Sequence, residues 1–148
     1  MSEFRLYLEL GLQHILDVAG YDHILFVVAL CALYLASDWK KILILITAFT
    51  VGHSITLALA TFDLVRVNMD LIEKLIPLTI LTTAVTNLFT KDRNRYTPST
   101  RKVSINYMLA GFFGLIHGLG FSSYLKSLLG QDKTIITQLL AFNIGLEI

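Results

Sequence analysis

The sequence predicts an all-α, polytopic transmembrane helical bundle, and three observations carry that prediction. Of its 148 residues, 55% are hydrophobic and 16% are charged, against roughly 45–50% and about 25% in soluble domains. The apolar residues gather into runs of about 20, the length a helix needs to cross bilayer hydrocarbon. Most charges lie in the short stretches between those runs. Lipid accepts such runs and requires only that backbone polar groups pair within helices. A formal net charge of +1, with basic residues scattered at run borders, leaves nucleic-acid binding without a basis.

About five helices are expected, in one transmembrane domain over 1–148. The first runs from about Leu10 to Leu35 and stops at Ala36-Ser37-Asp38-Trp39-Lys40-Lys41, where Trp39 beside two lysines marks an interface. Met1 to Glu9 lacks the basic-then-apolar pattern of a cleaved leader, so insertion is expected to rely on this first helix. The second runs from 42 to 62 and the third from 71 to 90, with Pro77 near its start, where neighbouring helices can satisfy the freed carbonyl. Lys91 to Lys102 (KDRNRYTPSTRK) is the one long hydrophilic stretch. A fourth helix is expected over 103–129. After a turn at Gly130-Gln131-Asp132-Lys133 comes a fifth run, 134–148, expected either to end at the membrane boundary or to continue beyond Ile148. Cys31 lies in an apolar run and reads as a small buried hydrophobe.

Alternating the sides places Lys40, Lys41, Lys91, Arg93, Arg95, Arg101 and Lys102 together. The opposite side holds Arg5, Arg66 and Lys133, with Lys74 and Lys126 inside helix ends. Cytoplasmic loops are enriched in Lys and Arg. The chain is therefore expected in the cell membrane, multi-pass, with its N-terminus outside and loop 91–102 cytoplasmic.

The candidate chemistry lies in residues that lipid disfavours. Asp22 and His23 fall about twelve residues into the first run, which at about 1.5 Å per residue places them near the bilayer midplane. A central Asp costs roughly 2.5–3.5 kcal/mol on insertion scales, so such residues normally face the bundle interior and mark an ion, proton or substrate path. His53 lies about as deep in the second helix and His117 lies in the fourth, while Asn143 and Glu147, four apart, share a face of the fifth. One intramembrane histidine is often only an interhelical hydrogen-bond partner worth about 1 kcal/mol. Four helices bringing such groups to one depth argue for a shared site. Imidazole with carboxylate suits zinc, nickel, copper or iron, a divalent transition metal, rather than magnesium or calcium, which prefer all-oxygen shells. Asp22 could ligate directly or orient an imidazole from behind. His14, with Asp17 three residues on, and Glu73 at the start of the third helix are expected to form an outer entry site. Ser54 flanks His53, although such hydroxyls often only bond back to their own helix. Gly111, Gly114, Gly118 and Gly120 surround His117 and permit close helix approach.

At these residues the chain resembles the HupE/UreJ family of membrane proteins, associated with hydrogenase and urease clusters and regarded as nickel or cobalt permeases. The matching segments are Gly11-Leu-Gln-His14-Ile through Gly20-Tyr-Asp22-His23-Ile-Leu-Phe26, Phe49-Thr-Val-Gly52-His53-Ser54-Ile-Thr56-Leu57, Phe113-Gly114-Leu-Ile-His117-Gly118-Leu-Gly120-Phe121, and Phe142-Asn143-Ile-Gly145-Leu-Glu147. The resemblance implies that His14, Asp22, His23, His53, His117 and Glu147 are the functional positions. It also implies a sixth helix beyond the Glu147 motif.

The favoured function is a permease that takes a nickel, cobalt or zinc ion in past His14 and Glu73, binds it at the midplane and releases it toward the basic side. No ATP-binding motif is present, so the driving energy would come from the ion gradient or the membrane potential. The alternative is an intramembrane zinc-dependent hydrolase using the same His/Asp cluster, with Ser54 or a carboxylate assisting. A third reading is a scaffold for a partner membrane protein. The expected partners are membrane lipid, the metal ion and further copies of the chain in a homo-oligomer.

Overall fold

A computed structural model describes residues 2–18, 20–89, 100–129 and 135–148. Their order is α1 (Glu3–Leu16), α2 (Asp22–Cys31), a 3₁₀ turn (Ala36–Asp38), α3 (Trp39–Thr61), α4 (Met69–Phe89), α5 (Thr100–Leu129) and α6 (Ile135–Glu147). The predicted all-α bundle is what the chain forms. Residues 91–99 of the basic loop and the predicted turn at Gly130–Lys133 lie outside the described residues.

Among the described residues three helices are long and apolar enough to cross a membrane: Trp39–Thr61, Met69–Leu88 and Asn106–Leu128, with mean hydropathies of 2.1, 1.3 and 1.3. Their outward faces carry many large apolar side chains. Leu43, Ile44, Val51 and Ile55 are exposed on α3, as are Leu78, Leu81, Val85 and Leu88 on α4. Contiguous apolar surface on this scale marks contact with lipid or a partner.

The first helix corrects the sequence-based expectation. In place of one helix over 10–35, α1 ends at Leu16 and α2 begins at Asp22. Asp17 caps α1 in extended backbone (φ −65°, ψ 114°). The break follows from local chemistry, because Asp and Gly are weak helix formers and Asp17, Gly20 and Asp22 fall within six residues of one another. Asp22 is thus the first residue of a helix, beside an opening in the chain, and does not lie within a continuous membrane-buried rod.

α3 and α5 form the frame. They run parallel, with Phe49 and His53 meeting Gly114 and with His53 and Thr56 meeting Gly118. Gly52 lies against the Gly111 carbonyl and Leu115. A second close crossing joins α1 to α6, where Gly11 faces Phe142 and Gly145 faces Leu8 and Leu12. Two apolar clusters fill the interior. Tyr7, Leu57, Leu125, Leu139, Phe142 and Leu146 join α1, α3, α5 and α6, and Phe26, Phe49 and Phe113 join α2, α3 and α5.

The ends of the helices are tied by charge. α3 closes with the Leu64 N–H donating to Leu59 O at 2.9 Å and the Asp63 N–H to Ala60 O at 3.1 Å. Asp63 adopts φ 56°, the left-handed cap position that Asp tolerates better than most side chains. Its carboxylate accepts from Lys126 Nζ at 2.7 Å, which holds that carboxyl below its usual range. At the opposite end Lys41 Nζ donates to Asp38 at 2.8 Å.

Candidate functional site

The four histidines of the chain come from α1, α2, α3 and α5 and meet in one place. The ring centres of His14 and His23 are 4.5 Å apart, of His23 and His117 5.3 Å, of His23 and His53 5.8 Å, and of His14 and His53 6.1 Å. His53 is fully buried, and His117 and His23 nearly so. The glycines explain how two of these rings come so close. Gly114 and Gly118 let α5 lie directly on the α3 backbone around His53, which brings His117 alongside it. The break at 17–21 does the rest, because it lets His14 and His23 leave separate helices and turn toward one another.

Five ring nitrogens of this cluster are buried without a hydrogen-bond partner: His14 Nε2, His23 Nε2, both nitrogens of His53, and His117 Nδ1. Buried polar atoms are almost always paired, so such a concentration of unpaired ones points to a ligand. His117 is the exception on its other side, where Thr79 Oγ1 lies 3.2 Å from Nε2. The Thr79 hydroxyl donates its single proton to Ile76 O at 2.7 Å. It must therefore accept from His117 Nε2–H, which leaves the lone pair on Nδ1.

Three of the four rings border a cavity of about 640 Å³, and the fully buried His53 is not part of its wall. His14, His23 and His117 line it together with the three carboxylates Asp17, Asp22 and Glu73. Two features add acceptor oxygen to this wall. α1 ends here, with His14 in its last turn, and a helix C-terminus carries partial negative charge and unpaired carbonyls. Pro77, inside α4, has no N–H to offer the Glu73 carbonyl one turn back. Imidazole nitrogens below a mouth of carboxylate and carbonyl oxygens form a surface that attracts cations.

The placement of the sequence-predicted residues is uneven. His14, expected in an outer group with Asp17 and Glu73, lies inside the cluster, and these three share one cavity with Asp22, His23 and His117 of the expected midplane group. Glu147 lies elsewhere, accepting a hydrogen bond from Thr47 Oγ1. Asn143 Oδ1 is buried without a partner, one residue from Phe142, whose ring is 5.8 Å from that of His14. Ser54 donates to Thr50 O at 2.6 Å, back into its own helix. Among the described residues no three His, Cys, Asp or Glu side chains are disposed to hold a single ion together. The rings are gathered but do not converge. Sequence reasoning missed Thr79, a buried hydroxyl that meets His117 where α4 packs on α5; it is one of several threonines along α4, and nothing in the sequence sets it apart.

Comparison with known proteins gives one match. The family model described as HupE / UreJ protein matches residues 1–148. No curated protein matches, and no solved structure does. With its whole length covered by that match, this chain belongs to the HupE/UreJ family.

Proposed function

We propose that this chain is a multi-pass membrane permease for a divalent transition-metal ion, nickel or cobalt, with its N-terminus outside and its basic 91–102 loop in the cytoplasm. The observation that carries the reading is a cluster of unpaired imidazole nitrogens, three of whose four rings line a cavity together with Asp17, Asp22 and Glu73. The carboxylates concentrate and partly dehydrate the cation. The imidazoles then select a borderline-soft ion over calcium or magnesium. Membership of the HupE/UreJ family supports a membrane metal transporter, and the resemblance of its histidine motifs to the family's supports nickel or cobalt. A loosely gathered ligand set also suits a cargo, which has to be released, better than it suits a resident ion held by fixed ligands. Broken helices whose ends and unwound carbonyls face the ion are a recurrent way to build such sites.

The test is metal content together with uptake. Purified wild type and His23→Ala are reconstituted into liposomes and assayed for entry of nickel, cobalt and zinc. Saturable nickel or cobalt entry that falls about tenfold or more in His23→Ala is the expected result. Stoichiometric, tightly held zinc with no flux of any ion would sink the permease reading and favour the intramembrane hydrolase.

A further inference from the structure

The molecule holds a second, partly open cavity, at the other end of α2, α4 and α5. It measures about 60 Å³, and its polar lining comprises Tyr34, Thr82, Thr83, Thr86, Asn87 and Asn106. Glu73 in the histidine cavity and Asn87 in this chamber are fourteen residues apart on α4, about 21 Å along the helix. The two spaces therefore lie at opposite ends of one bundle axis. Between them stands an aromatic septum. The ring of Phe26 is 4.8 Å from that of Phe49 and 5.9 Å from that of Phe113, and all three side chains are buried. Phe26 and Phe49 lie 5.1 and 5.2 Å from His117, while Phe113 lines the far chamber.

α4 carries a polar stripe past this septum. Thr79, Thr83, Thr86 and Asn87 recur at the spacing of one helix face, beginning at the hydroxyl that touches His117. Several donors in the chamber are already engaged. Thr83 donates to Thr79 O at 2.9 Å and Thr82 to Leu78 O at 2.7 Å. Asn87 donates to Ala29 O, and Asn106 donates to the Tyr34 hydroxyl at 3.2 Å. Thr82 and Thr83, their protons spent, keep oxygen lone pairs for a ligand, and the two amides keep their carbonyl oxygens beside one N–H each. A neutral set of acceptor oxygens, with room for a small cluster of waters, fits a hydrated cation and would hold it weakly.

We propose that this chamber is the exit half of the path: an oxygen-donor site that receives the hydrated divalent cation from the histidines when the Phe26, Phe49 and Phe113 septum parts. The inference rests on the permease reading. The gradation is physically apt, since conduction requires binding strong enough to enter and weak enough to leave. Borderline nitrogen ligands come first and hard neutral oxygens second, so the ion is passed toward water.

The experiment uses full-length chain in liposomes, with nickel and cobalt as probes. Thr83→Val and Asn87→Leu are each expected to slow entry about tenfold, the effect of losing one contact to a charged group. Equilibrium cobalt binding at the histidines should stay within about twofold of wild type, which also checks folding. Thr83→Ser, which keeps the oxygen, should retain the wild-type rate. Phe113→Ala should make the liposomes leak calcium, an ion the histidines would not select. Equal rates in Thr83→Val, Asn87→Leu and wild type overturn the chamber, as does an equal loss in Thr83→Ser and Thr83→Val. Calcium-tight Phe113→Ala overturns the septum. A wild type that moves neither metal removes the permease reading and the chamber's role with it, an outcome distinct from the others.

Discussion

Thr79 illustrates how one hydroxyl can govern a site without belonging to it. Its proton goes to Ile76 O and its oxygen accepts from His117 Nε2, so the imidazole is oriented with Nδ1 toward the cluster. Partners of this kind behind a ligand typically affect metal affinity by about 10–100-fold. Thr79→Val preserves shape and removes the acceptor, leaving a buried ring N–H unpaired unless the ring turns or changes tautomer. Cobalt affinity, read from the absorption bands of the bound ion, is therefore expected to fall about tenfold in Thr79→Val and to persist in Thr79→Ser. Unchanged affinity in Thr79→Val would show that Nδ1 of His117 is not a ligand. The histidines themselves were legible as a set because lipid makes each of them conspicuous, whatever its helix. Thr79 was not, because a threonine in a membrane helix can bond to its own backbone and so carries no cost that would mark it.

At the scale of elements, the α3–α5 pair decides whether the cluster exists. A Cβ on Gly114 would strike the Phe49 carbonyl, and one on Gly118 would strike both the His53 carbonyl and the Thr56 hydroxyl. Backbone cannot yield as a flexible side chain can, so the helices would have to separate and carry His53 away from His117. Gly111 is the internal control, since its added Cβ would find only Ala48 O at 3.5 Å, an ordinary contact. Gly114→Ala and Gly118→Ala are expected to destabilise the bundle by about 1–3 kcal/mol or more and to abolish cobalt binding, whereas Gly111→Ala should do neither. Thermal unfolding in detergent with parallel metal titration checks this. A Gly118→Ala protein as stable as wild type would disprove the close α3–α5 contact. The helices expected at 42–62, 71–90 and 103–129 correspond to elements at Trp39–Thr61, Met69–Phe89 and Thr100–Leu129, because run length and border charge act locally. The break at 17–21 was not legible from mean apolarity. Val18, Ala19 and Tyr21 hide it, and its signal was the placement of Asp17, Gly20 and Asp22 around them.

For the whole molecule, the question is which way the two cavities face. The histidine cavity opens at the end of the bundle that carries Glu73 and Tyr124, which is also the end of the Asp63–Lys126 pair. The smaller chamber lies at the end where the Asn106 amide donates to Tyr34, near the Lys41–Asp38 pair. Trp39, Lys40 and Lys41 follow directly in sequence, and together with the basic 91–102 stretch they favour the cytoplasm for that end. Uptake then requires the carboxylate-rimmed mouth to face outward, where cation capture by a negative cleft raises the local ion concentration. In a Cys31→Ser background, Ser2→Cys should react with a membrane-impermeant thiol reagent added to intact cells, and Ser37→Cys should react only after the cells are opened. Leu64→Cys, in the exposed α3–α4 link, should behave as Ser2→Cys does, because an odd number of spans separates it from residue 37. The reverse labelling pattern would turn the histidine cavity toward the cytoplasm, and the same geometry would then describe an exporter that collects its ion from inside.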